Sequence, residues 1–356
     1  MTRVSLPGQP AGVPWPTSEW PEGDAPTGVE LAPLLDQVFD DAGPLATSYA
    51  VVVVQHGAVV AERYQGRLEH FDRPPEPVTA QTRLLSWSMA KSMLHAVIGM
   101  LVGDGLLELR APADVPEWAA ADDPRHAITL HHLLAMRDGL DFVEDYVDER
   151  VSDVIEMLFG AGQADMAHFA ADRPLAAAPG ERFNYSSGTS NIISSVVSRA
   201  VRRITADGGP QSCAQYLGER LFGPLGMHSA MPEFDAAGTW VASSYVRATA
   251  RDFARFGLLY LRDGIWDGVR LLPEGWVDYG RTIQAVDPED GPYGAHWWGV
   301  EGDTLGTFRA SGYEGQSITI CPTLDLVVVR LGQTPAAHYP DLTRWRADMV
   351  RAFQPD

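Results

Sequence analysis

Residues Leu84 to Leu109 read LLSWSMAKSMLHAVIGMLVGDGLLEL, a long amphipathic run that needs a helix with partners to bury its apolar positions. Ser88-Met89-Ala90-Lys91 stands at its head. Residues three apart share one helix face, so a helix starting near Ser88 holds the lysine amine beside the serine hydroxyl. A serine hydroxyl is a weak nucleophile at neutral pH and needs a base; lysine serves if burial or nearby cations lower its pKa enough to make it neutral. Leu84, Leu85, Trp87 and Met89 before the lysine, and Met93, Leu94, Val97, Ile98 and Leu101 after it, favour that burial. A first-turn serine also has a backbone N–H without an intrahelical partner, which can point at a developing oxyanion. So short a pattern recurs by chance, and it needs partners elsewhere in the chain.

The rest of the sequence narrows the choice. At 356 residues the chain can bury one large or two interleaved cores. A formal net charge of -20 argues against a phosphate-backbone partner, because nucleic-acid binding wants a basic face. Cys213 and Cys321 lie far apart without CxxC spacing and support neither a disulfide framework nor a cysteine-rich metal site. The adjacent His131 and His132 have no i, i+4 histidine partner or nearby acid and suit a helix surface better than a metal, so no metal and no cofactor are expected. The N-terminus lacks a signal-peptide core and no run reaches membrane-span length, so the expectation is a soluble cytoplasmic protein without a membrane partner.

In chain order, a segment rich in Pro and Gly, with Trp15 and Trp20, comes first; its tryptophans suit packing on the body or at a subunit contact, which leaves a homodimer open, and a loose arm is the alternative. Val29 to Phe39 has helical spacing. Ser48–Gln55 and Ala58–Tyr64 read as strands joined by a His56-Gly57 hairpin. From Pro112 to about Pro232 the pattern is helices and long loops, including Ile128 to Leu134 ended by Gly139 and a helix from about Asn191. Thr249 to Leu261 is an amphipathic helix; Tyr293–Val300, Gly306–Ala310, Gln316–Ile320 and Asp325–Leu331 form an antiparallel meander; Asp341–Phe353 closes the chain as a helix. With strands at both ends and helices between, the expected fold class is α+β: an antiparallel sheet built from both chain ends, flanked by helices, with a mostly helical region inserted. The expected division is an arm over 1–28, a sheet domain over 29–111 and 233–356, and a helical domain over 112–232.

With those elements placed, the sequence resembles the serine β-lactamase and penicillin-binding-protein superfamily, in its class C-like branch. Ser88-Met89-Ala90-Lys91 fits the S-x-x-K motif, Tyr185-Ser186-Ser187 fits Y-x-N with serine for asparagine, and Ala310-Ser311-Gly312-Tyr313 lies where the K-T-G strand belongs. ITLHHLLAMRDGL and RATARDFARFG also match supporting stretches of the family. Within the branch the likeness is greatest to the 6-aminohexanoate-dimer (nylon oligomer) hydrolases, through Phe183-Asn184-Tyr185, Glu144-Asp145-Tyr146 and Gly312-Tyr313-Glu314-Gly315-Gln316.

The resemblance implies a serine hydrolase of small amides or esters. Ser88 is the nucleophile, Lys91 and Tyr185 share the proton transfers, and the N–H groups of Ser88 and Tyr313 form the oxyanion hole. A lysine ammonium beside Tyr185 favours its phenolate, so the two act as one unit. Tyr146 matches a loop tyrosine that contacts the substrate amide in the nylon-oligomer hydrolases. Of Trp297 and Trp298, adjacent strand residues facing opposite sides, Trp298 is the one expected in the pocket. Ala310 stands where relatives acting on β-lactams or peptidoglycan stems carry a cation, which favours neutral or differently charged linear substrates. Met157 falls where efficient nylon-oligomer hydrolases carry an acid. The alternatives are a β-lactamase, a D-alanyl peptidase or D-aminopeptidase, and a non-catalytic binding module that keeps the fold.

Overall fold

The computed structural model describes residues 4–69, 74–146, 151–205 and 212–355. The first three residues of the Pro-rich arm, four of the polar loop before Ser88 and short stretches of the helical region lie outside the described residues. The frame is an eight-stranded sheet of β1 (Thr47–Gln55), β2 (Ala58–Tyr64), β3 (Ala285–Asp287), β4 (Gly291–Tyr293), β5 (Trp298–Gly299), β6 (Phe308–Gly312), β7 (Gln316–Cys321) and β8 (Leu326–Gln333). Its spatial order is β3-β4-β5-β6-β7-β8-β1-β2, and every neighbouring pair is antiparallel. The β1–β8 pair, running from Thr47 opposite Gln333 to Gln55 opposite Leu326, joins the two ends of the sequence.

Both faces of the sheet are covered, which is why β1 reads as an unbroken valine run rather than an alternation. Ala50, Val52 and Val54 point into the larger core, shared with α2 (Met89–Gly103) and α7 (Ala250–Leu261). Val51 and Val53 point into a second core closed by α1 (Ala32–Val38) and α8 (Tyr339–Arg351). His56 and Gly57 both take positive φ, 52° and 79°, as a tight hairpin with the twist of its strands requires. Between the two sets of strands lie α3 (Leu130–Leu134), α4 (Asp153–Phe159), α5 (Met166–Ala171) and α6 (Ser187–Ile204).

Three local expectations change. Tyr293–Val300 is a hairpin and not one strand: Tyr293 pairs with Trp298, and His296 at φ 56° turns the chain between them. The Ile128 helix stops at Leu134, because Met136 turns left-handed at φ 55° before Gly139 is reached. The helix expected from Asn191 starts at Ser187, because the Ser186 side chain accepts from Thr189 N and caps it one turn earlier. The N-terminal arm lies against the body: Arg255 donates to Pro16 O at 2.6 Å, Trp266 to the Thr17 hydroxyl at 2.8 Å, and Trp15 packs on Trp266. No helix among the described residues is long and apolar enough to cross a membrane.

Candidate active site

The site is built where α2 meets the end of β6. Ser88 is the N-cap residue of α2, and Trp87 before it is held in the left-handed region at φ 45°, a conformation uncommon for a residue with a side chain. The Trp87 ring is wedged between Tyr245 and Tyr313, with centroids 6.2 and 5.6 Å away. Ser86 anchors the turn, donating to Ser244 O at 3.0 Å and accepting from Val246 N at 3.1 Å. Gly312, at the end of β6, closes on the same turn so tightly that a Cβ there would sit 2.5 Å from Ser86 O. This approach, with the Trp87–Tyr313 ring contact, sets the start of the Tyr313 turn against the turn that carries Ser88.

Lys91 lies one turn into α2 and is 2% exposed. Its Nζ is 2.9 Å from Ser88 Oγ, 3.1 Å from Ser187 Oγ and 3.0 Å from Ser243 O. Burial brings its pKa down to about 8, and Glu144 pulls the other way. The partners also fit a neutral amine, which has two N–H donors and one lone pair. Ser243 O can only accept. The Ser187 hydroxyl donates to Glu144 Oε1 at 2.6 Å and therefore accepts from Lys91, which leaves the lone pair for the Ser88 hydroxyl.

Tyr185 stands just before the Ser186 cap and presents its ring face, not its hydroxyl, to Lys91, with Nζ 4.9 Å from the centroid. Burial, with Glu144 adding to it, pushes the phenol far above its ordinary range, and contact with Ser88 only partly offsets this. Burial thus favours the neutral phenol before reaction, where the sequence reading has a lysine ammonium favouring the phenolate. Trp298 and Tyr293 hold the ring, with centroids 5.4 and 5.9 Å away.

Ser88, Tyr185, Tyr146, Tyr313 and Trp298 line one cleft of about 830 Å³, with Lys91 behind its floor. Tyr146 is 38% exposed, packs on Tyr313 at 5.0 Å between centroids, and donates its hydroxyl to Glu144. Trp297 is fully buried against Tyr260 and Phe308. Met157 does not reach the cleft; it is buried, with its sulfur beside Asn191, so it cannot stand in for a substrate-facing acid. A separate cavity of about 520 Å³ near Asp235 contains none of the motif residues. Among the described residues no group of three or more His, Cys, Asp or Glu is placed to hold a metal. His131 hydrogen bonds with Tyr279, and His132 belongs to the cap of α3.

Two features escaped the sequence reading. Glu144 accepts from Ser187 N at 2.8 Å and from the Ser187 and Tyr146 hydroxyls, tying the acidic loop to the start of α6. The signal for the other was plain: Lys91 is the only lysine in the chain.

The Beta-lactamase family matches residues 40–352. A 6-aminohexanoate-dimer hydrolase of Paenarthrobacter ureafaciens is 28% identical over 318 residues, covering 83% of this chain and 74% of that protein. An uncharacterized Mycobacterium tuberculosis protein is 27% identical over 342 residues, covering 75% and 80%. Among solved structures, a Bacillus anthracis protein described as a candidate 6-aminohexanoate-dimer hydrolase superposes with a TM-score of 0.72 at 21% identity, covering 94% of this chain and 87% of that one. A penicillin-binding-protein homologue of Caulobacter crescentus gives 0.68 at 20% identity, covering 93% and 99%.

Proposed function

This chain belongs to the beta-lactamase family of serine hydrolases, and from that premise we propose that it cleaves linear amides or esters through an acyl-enzyme on Ser88, in the manner of a 6-aminohexanoate-oligomer hydrolase. The observation that carries this reading is the placement of Lys91, whose Nζ lies 2.9 Å from Ser88 Oγ while its other two partners accept, so that in the neutral amine the lone pair faces the Ser88 hydroxyl.

Neutral Lys91 takes the Ser88 proton as Oγ attacks the carbonyl carbon. The N–H groups of Ser88 and Tyr313 receive the oxyanion, and losing one such donor typically costs ~2.7 to 4 kcal/mol. The Tyr185 phenol gives its proton to the leaving nitrogen or oxygen. Its phenolate then has the newly formed Lys91 ammonium beneath the ring, so the opposite charges stabilise each other only after acylation. Water attacks the ester, Tyr185 recovers a proton from it, and Lys91 returns the first proton to Ser88. Glu144 positions Ser187 and hence Lys91 Nζ, while Tyr146 and Trp298 wall the substrate.

A fluorophosphonate is expected to add once per chain at Ser88, and Ser88→Ala to abolish both labelling and hydrolysis across p-nitrophenyl esters, linear ω-amino-acid amides, D-amino acid amides and nitrocefin. Labelling that survives Ser88→Ala discards the assignment. Nitrocefin or D-alanine release outpacing linear substrates would turn the reading toward a β-lactamase or D-peptidase.

A further inference from the structure

The hairpin from Tyr293 to Trp298 touches both proton-transfer groups of the site. His296, at its tip and 2% exposed, has Nδ1 2.9 Å from Lys91 O, and the Ser92 hydroxyl donates to His296 O at 2.7 Å. Its two strands carry Tyr293 and Trp298, whose ring centroids lie 4.7 Å apart and which both pack on Tyr185. His296 N donates to Leu134 O at 3.2 Å, so the tip is tied to the end of α3 as well as to the first turns of α2.

The bond to Lys91 O fixes the state of the imidazole. A carbonyl only accepts, so Nδ1 carries the proton and Nε2 the lone pair. Nε2 is buried and has no hydrogen-bond partner among the described residues. Burial brings the His296 pKa down to about 3, and the Lys91 charge acts in the same direction. The ring therefore stays a neutral donor throughout the range in which Lys91, at about 8, exchanges its proton. Such a ring does no acid–base chemistry of its own. What it does is hold the main chain of Lys91.

Lysine is a flexible stem, and Ser88, Ser187 and Ser243 fix only its amine end. Proton transfer needs the near end held too, because a misplacement of about 1 Å can cost ~10²-fold in rate. We propose that the Tyr293–Trp298 hairpin is a brace that sets Lys91 against Tyr185, with His296 as its positioning residue. The inference rests on the proposed Ser88 chemistry and adds to it what keeps the Lys91 amine 4.9 Å from the Tyr185 ring centroid.

The test pairs two replacements that both accept the left-handed backbone of His296, at φ 56°. His296→Gly removes the ring, whereas His296→Asn keeps an N–H donor near the place of Nδ1. His296→Gly is expected to slow fluorophosphonate labelling of Ser88 by about tenfold or more, and to lower kcat and kcat/KM together with KM within about twofold. Water admitted behind the turn should also raise the pH at which Lys91, the only lysine, titrates. His296→Asn should bring labelling back to within about threefold of wild type. Met349→Ala, in the core on the other face of the sheet, is the control: it should lower Tm without slowing labelling or moving the Lys91 signal. If His296→Gly does not fold, Ser92→Ala removes the bond to His296 O alone and should slow labelling by about threefold, with the Lys91 signal moving the same way. Labelling at the wild-type rate in His296→Gly or, in its place, Ser92→Ala, equal losses in His296→Gly and His296→Asn, or an equal loss in Met349→Ala overturns the brace and leaves the Ser88 reading standing. No labelling of the wild type overturns both.

Discussion

Lys91, behind the floor of the cleft, and Arg330, in the middle of β8, are cations at 2% and 0% exposure whose hydrogen bonds all go to neutral oxygens. Burial lowers both pKa values, Lys91 to about 8 and Arg330 to about 10. The outcomes differ because the groups start from different values and carry different donor sets. The amine comes within reach of neutrality and can take a proton. The guanidinium stays charged at neutral pH and spreads its donors over Ser48, Thr334 and the carbonyls of Leu45, Thr47 and Glu314, tying β8 to the start of β1 and to the turn after β6. One physical effect thus leaves a group that can exchange a proton in one region and a fixed clamp in the other.

The largest expected effect comes from putting the second chemistry in the first place. Lys91→Arg installs a cation that does not deprotonate, so steady-state hydrolysis should fall by ~10²- to 10⁴-fold. Activity within tenfold of wild type would mean that no neutral amine is needed. Arg330→Met strips a charged donor from several buried oxygens, and unfolding in urea should show a loss of about 3 kcal/mol. The rate of Ser88 labelling should change much less; an equal loss in both readouts would show that clamp and site are one unit.

The third test is a titration. Because Lys91 is the only lysine, lysine-selective isotope labelling gives one side-chain signal, expected to titrate near pH 8. The neutral amine is the active form, so kcat/KM should rise with pH through that midpoint. Glu144 raises the Lys91 pKa, so Glu144→Gln should move both the signal and the rate limb to lower pH. The stability sign follows from the same shift. Lys91 is depressed from 10.5 to about 8 in the folded state, so between those values the unfolded chain binds more protons and stability rises with pH. Below pH 8 the buried charge costs roughly 3 kcal/mol, a slope that Lys91→Met should remove. A lysine signal that titrates at its ordinary value ends the comparison with Arg330.

Much of this was legible in the residues. Ala58–Tyr64 is the strand its β-branched residues predict, β1 starts one residue before its predicted limit, and His56-Gly57 makes the expected turn. Ser88 and Lys91 could be paired because their spacing is a property of one helix. Tyr293–Val300 was misread because apolar content there reflects burial on both sides of a turn, which a strand and a hairpin share. Glu144 was visible as part of a loop motif, but its bonds to Ser187 span a contact that no local pattern encodes.

The sequence by itself determined most of the elements and the pairing of Ser88 with Lys91, since helix period, strand composition and turn chemistry act between near neighbours. Only the tertiary structure decided the burial and placement of what surrounds them: Tyr185 buried against Trp298, and Met157 and Ala310 in the core. Desolvation and through-space charge depend on which distant segments meet, and those distances exist only once the chain has closed on itself.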